Sequence, residues 1–151
     1  MAKFCPLFSS STGNSIYIGG GEDSILIDVG MTAKQVEQAL FGIGVDADSI
    51  RNIFVTHEHS DHVKGLKVFT KKHKARVFMT AGTYEALAKT DALDNVNECR
   101  IITQDGADVG CMFIKPFAIS HDCIEPCGYT VEMANGRKIA IATDLGIMTD
   151  T

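Results

Sequence analysis

No apolar run in this sequence approaches a membrane span. The longest, such as Ile139 to Thr143, fall far short of the roughly 20 residues that a spanning helix needs. The opening Met-Ala-Lys-Phe is too short and too polar for a secretory signal. Five cysteines (Cys5, Cys99, Cys111, Cys123 and Cys127) are an odd number, so reduced thiols in a cytoplasm are the economical expectation, with no membrane partner. Cys123 and Cys127 lack a second pair, which excludes a zinc knuckle; their closeness to His121 is notable, and structural thiols near a site are the simpler expectation. Positive charge is scarce as well: 14 Lys and Arg against 19 Asp and Glu give −5, which argues against a broadly basic nucleic-acid coat. Repeats, linkers and low-complexity stretches are absent. What remains is ordinary for a globular chain, with 45% hydrophobic and 22% charged residues. At 151 residues, the simplest organisation is one domain over 1–151 with a sizeable core.

Punctuation by glycine and polar residues divides the chain into α/β elements. Strands are expected at Lys3 to Phe8, Ser15 to Gly19 and Ser24 to Asp28, the first two joined by the small-residue loop Ser9 to Ser15. Thr32-Ala33-Lys34-Gln35 has the form of a capping box, and Gly42 and Gly44 end the helix it opens. Ile53 to Thr56 reads as a buried strand, followed by a helix from about Val63 to Lys74. Further elements are a strand at Arg76 to Met79, a helix at Thr83 to Lys89 capped by Thr83 or Gly82, and a short strand near Arg100. A strand at Cys111 to Phe117 precedes a hairpin, Gly128 to Met133 and Lys138 to Ala142, around Asn135-Gly136. Lys71-Lys72-His73-Lys74 reads as a solvated helix end.

The densest chemistry lies in Thr56-His57-Glu58-His59-Ser60-Asp61-His62, where three of the five histidines fall within six positions. His57 and His59 are two apart, so in extended chain both imidazoles face one side. Asp61 and His62 follow across the turn and can reach a second point. Imidazole with carboxylate suits zinc, iron or manganese, and two adjacent metals are a hydrolytic arrangement. Three more candidates stand at strand ends: Asp28 after Ile25-Leu26-Ile27, His121 after an apolar strand and a serine, and Asp144 after Ile139 to Ala142.

His-x-His-x-Asp-His after a strand resembles the signature of the metallo-β-lactamase-fold hydrolases. The order of Phe8 to Ser15, Ile27 to Gly30, Thr56 to Gly65, His121-Asp122 and Ala142 to Gly146 is similar to the YycJ-type (WalJ) branch, regarded as DNA exonucleases. The resemblance implies an αβ/βα sandwich of which this chain supplies the first half-sheet with its helices. It implies that His57, His59 and His121 hold one divalent ion, most simply zinc, with manganese or iron as alternatives. Asp61 and His62 would hold a second, weaker ion, with Asp144 between the two and Asp28 supporting the metal loop. Asp61 and Asp144 are then the catalytic carboxylates of a phosphodiesterase that uses a metal-bridging hydroxide on nucleic acid. A non-catalytic metal-binding protein and an ester or thioester hydrolase are the alternatives. Two divalent ions would bring the formal charge from −5 to −1 and concentrate the attraction for an anionic substrate. Family members carry roughly as much chain again, with a last histidine ligand. The strands at Ile25 to Ile27, Ile53 to Val55 and Ile139 to Ala142 are apolar on both faces. The expectation is therefore a sheet bare on one side, covered by a second copy in a homodimer or by a separate C-terminal partner.

Overall fold

A computed structural model describes residues 3–20, 22–120 and 122–143. Apolar runs of β-branched residues build the centre. β3 (Asp23–Ile27), β4 (Asn52–Phe54) and β5 (Arg76–Met79) are parallel neighbours, buried along nearly their whole length. Such strands need cover on both faces. β1 (Lys3–Ser9) and β2 (Asn14–Gly20) extend this sheet antiparallel on one side, and β6 (Cys99–Ile101) extends it parallel on the other.

One face is covered by helices. α1 (Ala33–Gly42) starts at the capping box read from the sequence: the Thr32 hydroxyl accepts from Gln35 N–H, and the Gln35 side chain accepts from Thr32 N–H. Val36 and Leu40 from α1, and Leu66 and Phe69 from α3 (Leu66–His73), pack on Leu26, Ile53, Val55 and Val77. The helix expected from Val63 to Lys74 is two pieces, because α2 (Ser60–Val63) stops at Lys64-Gly65. There Gly65 N–H donates to Val29 O at 2.9 Å, and a Cβ on Gly65 would collide with Met31 O. The chain leaving β3 crosses at that point and only glycine lets it pass. α4 (Ala81–Ala88) begins two residues before the expected Thr83, because the Thr80 hydroxyl is the cap.

The other face is not bare, which corrects the expectation of a single half-sheet exposed on one side. β7 (Ala107–Val109), β8 (Met112–Ala118), β9 (Cys127–Met133) and β10 (Lys138–Ile141) form a second, antiparallel sheet, with β7 not foreseen as a strand. Its inward residues Met112, Ile114, Tyr129, Val131 and Ile141 close over Ile18, Ile25, Ile27, Phe54 and Phe78. The reason lies in the alternation of β8 and β9. Lys115 and Glu132 point outward while their neighbours are buried, so these strands make a one-faced sheet rather than widening the first. The strand assigned to Ile139 to Ala142 belongs to this sheet and exposes Lys138 and Ala140. The hairpin turns at Asn135-Gly136 as expected, with Gly136 at φ +87°.

The two sheets are joined beneath the histidine motif. Phe54 stacks on Phe78 (centroids 4.6 Å apart, planes 7° apart) and meets the edge of Tyr129 at 5.5 Å. The fully buried Tyr129 hydroxyl donates to Val55 O at 2.6 Å, and Cys127 N–H donates to Thr56 O at 3.0 Å. Tyr129→Phe keeps the ring and orphans that carbonyl, so chemical denaturation should show a loss of about 1–3 kcal/mol.

Candidate metal centre

β3 ends at Ile27, and the next residue takes a conformation unusual for a side-chain-bearing residue: Asp28 has φ +65°. Asp and Asn tolerate this left-handed region better than other residues. The turn drives the Asp28 carboxylate beneath the motif, where it is 1% exposed. Its Oδ1 accepts from Thr56 N–H at 2.8 Å, and its Oδ2 accepts from the Thr56 hydroxyl at 2.7 Å and from His62 Nδ1 at 2.6 Å.

Those bonds settle the imidazole tautomers. A carboxylate accepts only, so His62 carries its proton on Nδ1 and leaves Nε2 as the acceptor nitrogen. The Thr56 hydroxyl spends its one proton on Asp28, so it accepts from His57 Nδ1 at 2.9 Å, and His57 Nε2 is likewise the acceptor nitrogen. Partners of this kind orient metal-ligating histidines. His57 and His62 are fully buried, with ring centroids 4.0 Å apart, and His59 lies edge-on to His57 at 4.9 Å.

Asp61 and His62 form a second convergence. Asp61 Oδ2 lies 3.4 Å from His62 Nε2, and the Asn14 amide spans both, with Nδ2 at 3.1 Å from Asp61 Oδ2 and 3.3 Å from His62 Nε2. The backbone enforces this closeness: Gly30 N–H donates to Asn14 O at 2.8 Å, Val29 N–H donates to His62 O at 3.0 Å, and a Cβ on Gly30 would run into Asp61 O.

The structure therefore brings together Asp28, from the end of β3, and His57, His59, Asp61 and His62, from the motif. His121 and Asp144, nominated from the sequence, lie outside the described residues. Thr56 and Asn14 were not singled out. Thr56 heads the motif and could have been noticed there, whereas nothing distinguished Asn14 from the other small polar residues of its loop. Cys123, read as a structural thiol, reaches the site: its Sγ is 3.4 Å from His59 Nε2. One ligand atom each from His57, His59 and Cys123 lies within 4.8 Å of the others. Cys127 is different, since burial pushes its thiol up to about 12 and it serves the core. The donor set of imidazole nitrogens, those of His57 and His62 in fixed tautomers, with a carboxylate and a thiol fits a divalent transition metal. A groove of about 1000 Å³ lies elsewhere, on the helical face at Phe41 and Val68.

Fold and site together place the chain: it belongs to the metallo-beta-lactamase superfamily, whose sequence model matches residues 11–113. Among curated proteins it is similar to exodeoxyribonuclease YycJ of Bacillus anthracis, 34% identical over 150 residues, covering 97% of this chain and 56% of that protein. It is also similar to exodeoxyribonuclease WalJ of Streptococcus pneumoniae, 29% identical over 151 residues, with 98% and 56% covered. The chain thus spans about half the length of these relatives. Among solved structures, a metallo-beta-lactamase with a HARLDQ motif from Cronobacter sakazakii superposes with a TM-score of 0.78 at 19% identity, over 93% of this chain and 60% of that one.

Asp28→Asn tests the tautomer argument directly. Asparagine keeps the left-handed backbone but offers an N–H₂ group where a carboxylate oxygen stood. Imidazole ¹⁵N spectra should show the His62 proton moving from Nδ1 to Nε2, with the far-ultraviolet circular dichroism unchanged.

Proposed function

We propose that the chain is the metal-holding part of a divalent-metal-dependent phosphodiesterase that degrades DNA from an end. The observation that carries the reading is the Asp28–Thr56 network, which presents His57 and His62 as metal-ready tautomers beside Asp61. The nuclease relatives support the substrate class. No serine or cysteine nucleophile is needed for such chemistry, because the site offers metal ligands rather than an activated hydroxyl or thiolate.

In this reading His57, His59 and His121 would hold one ion, zinc by preference, and Asp61 and His62 would hold a second, with Asp144 as a further carboxylate ligand. Such ions lower the pKa of a bound water toward neutrality and offset charge that develops on a phosphate. The chain's own residues do the positioning. Asp28 and Thr56 keep the protons of His57 and His62 on Nδ1, away from the ligand nitrogens. Asn14 donates to Asp61 Oδ2, and Asp61 would bind the ion through one carboxylate oxygen while the other orients the attacking water and accepts its proton. Since the formal charge is −5, the attraction for DNA is local to the ions. Among the described residues no helix is long and apolar enough to cross a membrane, and five cysteines without a disulfide accord with a reducing cytoplasm. For assembly, β10 is an edge strand among the described residues, and its open side is where a second copy or a separate C-terminal partner would continue the second sheet.

The protein should purify with transition metal, and His59→Ala should remove most of it by elemental analysis; unchanged metal content in that variant would overturn the ligand assignment. On linear duplex DNA, cleavage should require divalent metal, and Asp61→Ala should lower the rate by about 10²-fold or more while costing proportionally less metal. Ester and thioester substrates run in parallel separate this reading from other hydrolases of the same fold.

A further inference from the structure

We infer that Cys123 is a sulfur ligand for the metal held by His57 and His59, which makes that position selective for thiophilic ions such as zinc over manganese or magnesium. The inference rests on the metal-centre reading above and adds to it a ligand that the histidine motif does not contain.

Three observations carry it. The ligand atoms of His57, His59 and Cys123 all lie within 4.8 Å of one another, near enough for one ion to draw them in to bond lengths of about 2.0–2.3 Å. The thiol sits beside a motif nitrogen: Cys123 Sγ is 3.4 Å from His59 Nε2, and the Asp122 carbonyl, 3.1 Å from the same nitrogen, is the contact that an ion there would replace. The strap that carries the thiol is also tied down on both sides. Ile124 N–H meets Glu58 Oε2 at 3.5 Å, within the motif itself. Glu125 Oε1 accepts from Gly82 N–H at 2.8 Å, and Glu125 O accepts from the Thr80 hydroxyl at 2.8 Å, where α4 begins. A Cβ on Gly82 would meet Glu125 Cβ at 2.5 Å, so the strap lies directly on that helix start. Cys127 N–H then returns to Thr56 O at 3.0 Å. Cys123 is thus held over His59 by contacts to the motif and to α4, rather than carried on a loose turn.

The consequence is chemical. On coordination the thiol gives its proton to solvent and the sulfur bonds the ion, with no change of oxidation state. Soft sulfur with imidazole favours zinc, cobalt and cadmium, whereas manganese and magnesium prefer oxygen. Among the described residues, Cys123 is the cysteine whose sulfur is grouped with His57 and His59.

X-ray absorption spectroscopy on the purified 151-residue chain loaded with one equivalent of zinc reads the ligand directly. A sulfur neighbour at about 2.3 Å is expected, and it should vanish in Cys123→Ser, which should still bind zinc. Cobalt loading should give a sulfur-to-metal charge-transfer band in the near ultraviolet, lost in the same variant. The zinc-over-manganese preference should fall about tenfold or more in Cys123→Ser. Zinc bound by nitrogen and oxygen alone, or a sulfur signal that persists in Cys123→Ser, overturns the inference and leaves the metal centre standing. Failure of the unmodified chain to bind zinc or cobalt at all overturns both.

Discussion

A buried carboxylate with a positive φ is an expensive thing to keep. The left-handed backbone at Asp28 costs of order 1–2 kcal/mol, and an uncompensated charge at 1% exposure would cost more. Three hydrogen bonds offset this, from Thr56 N–H, the Thr56 hydroxyl and His62 Nδ1. Remove the carboxylate and the end of β4 loses its anchor, His62 loses its tautomer, and the Thr56 hydroxyl is released to donate to His57 instead of accepting from it. The rest of the site is arranged around that one group.

The packing exists to hold those bonds in register. Helices press on one face of the mixed sheet and the antiparallel sheet on the other, so β3 and β4 cannot slide against one another. Tyr129 and Cys127 bond the backbone at Val55 and Thr56, which ties the second sheet to the two residues that lead into the motif. Gly30 and Gly65 act where backbones cross. At each, a methyl group would strike a carbonyl, of Asp61 or Met31, and push the ligand loop away from β2 and α1.

The two sides of the site differ in burial. His57 and His62 are fully buried and bonded from beneath, whereas His59 and Cys123 are partly exposed and meet across a strap.

The spacing of His57, His59, Asp61 and His62 was legible because short-range geometry governs it: in extended chain alternate residues share a side, and a turn brings the next pair round. The ends of β3 and β4, the Thr32 capping box and the turn at Gly136 were legible for the same reason, being set by neighbours within a few residues. The role of Asn14 was not legible, because it acts on a residue 47 positions away. Neither was that of Cys123, 64 positions from His59, whose place depends on a strap pinned by Glu58 and α4. The second sheet went unrecognised since alternation in β8 and β9 says that one face is buried, not against what. A sequence by itself determines which side chains share a face; which faces then meet is decided only when distant elements compete for the same apolar surface.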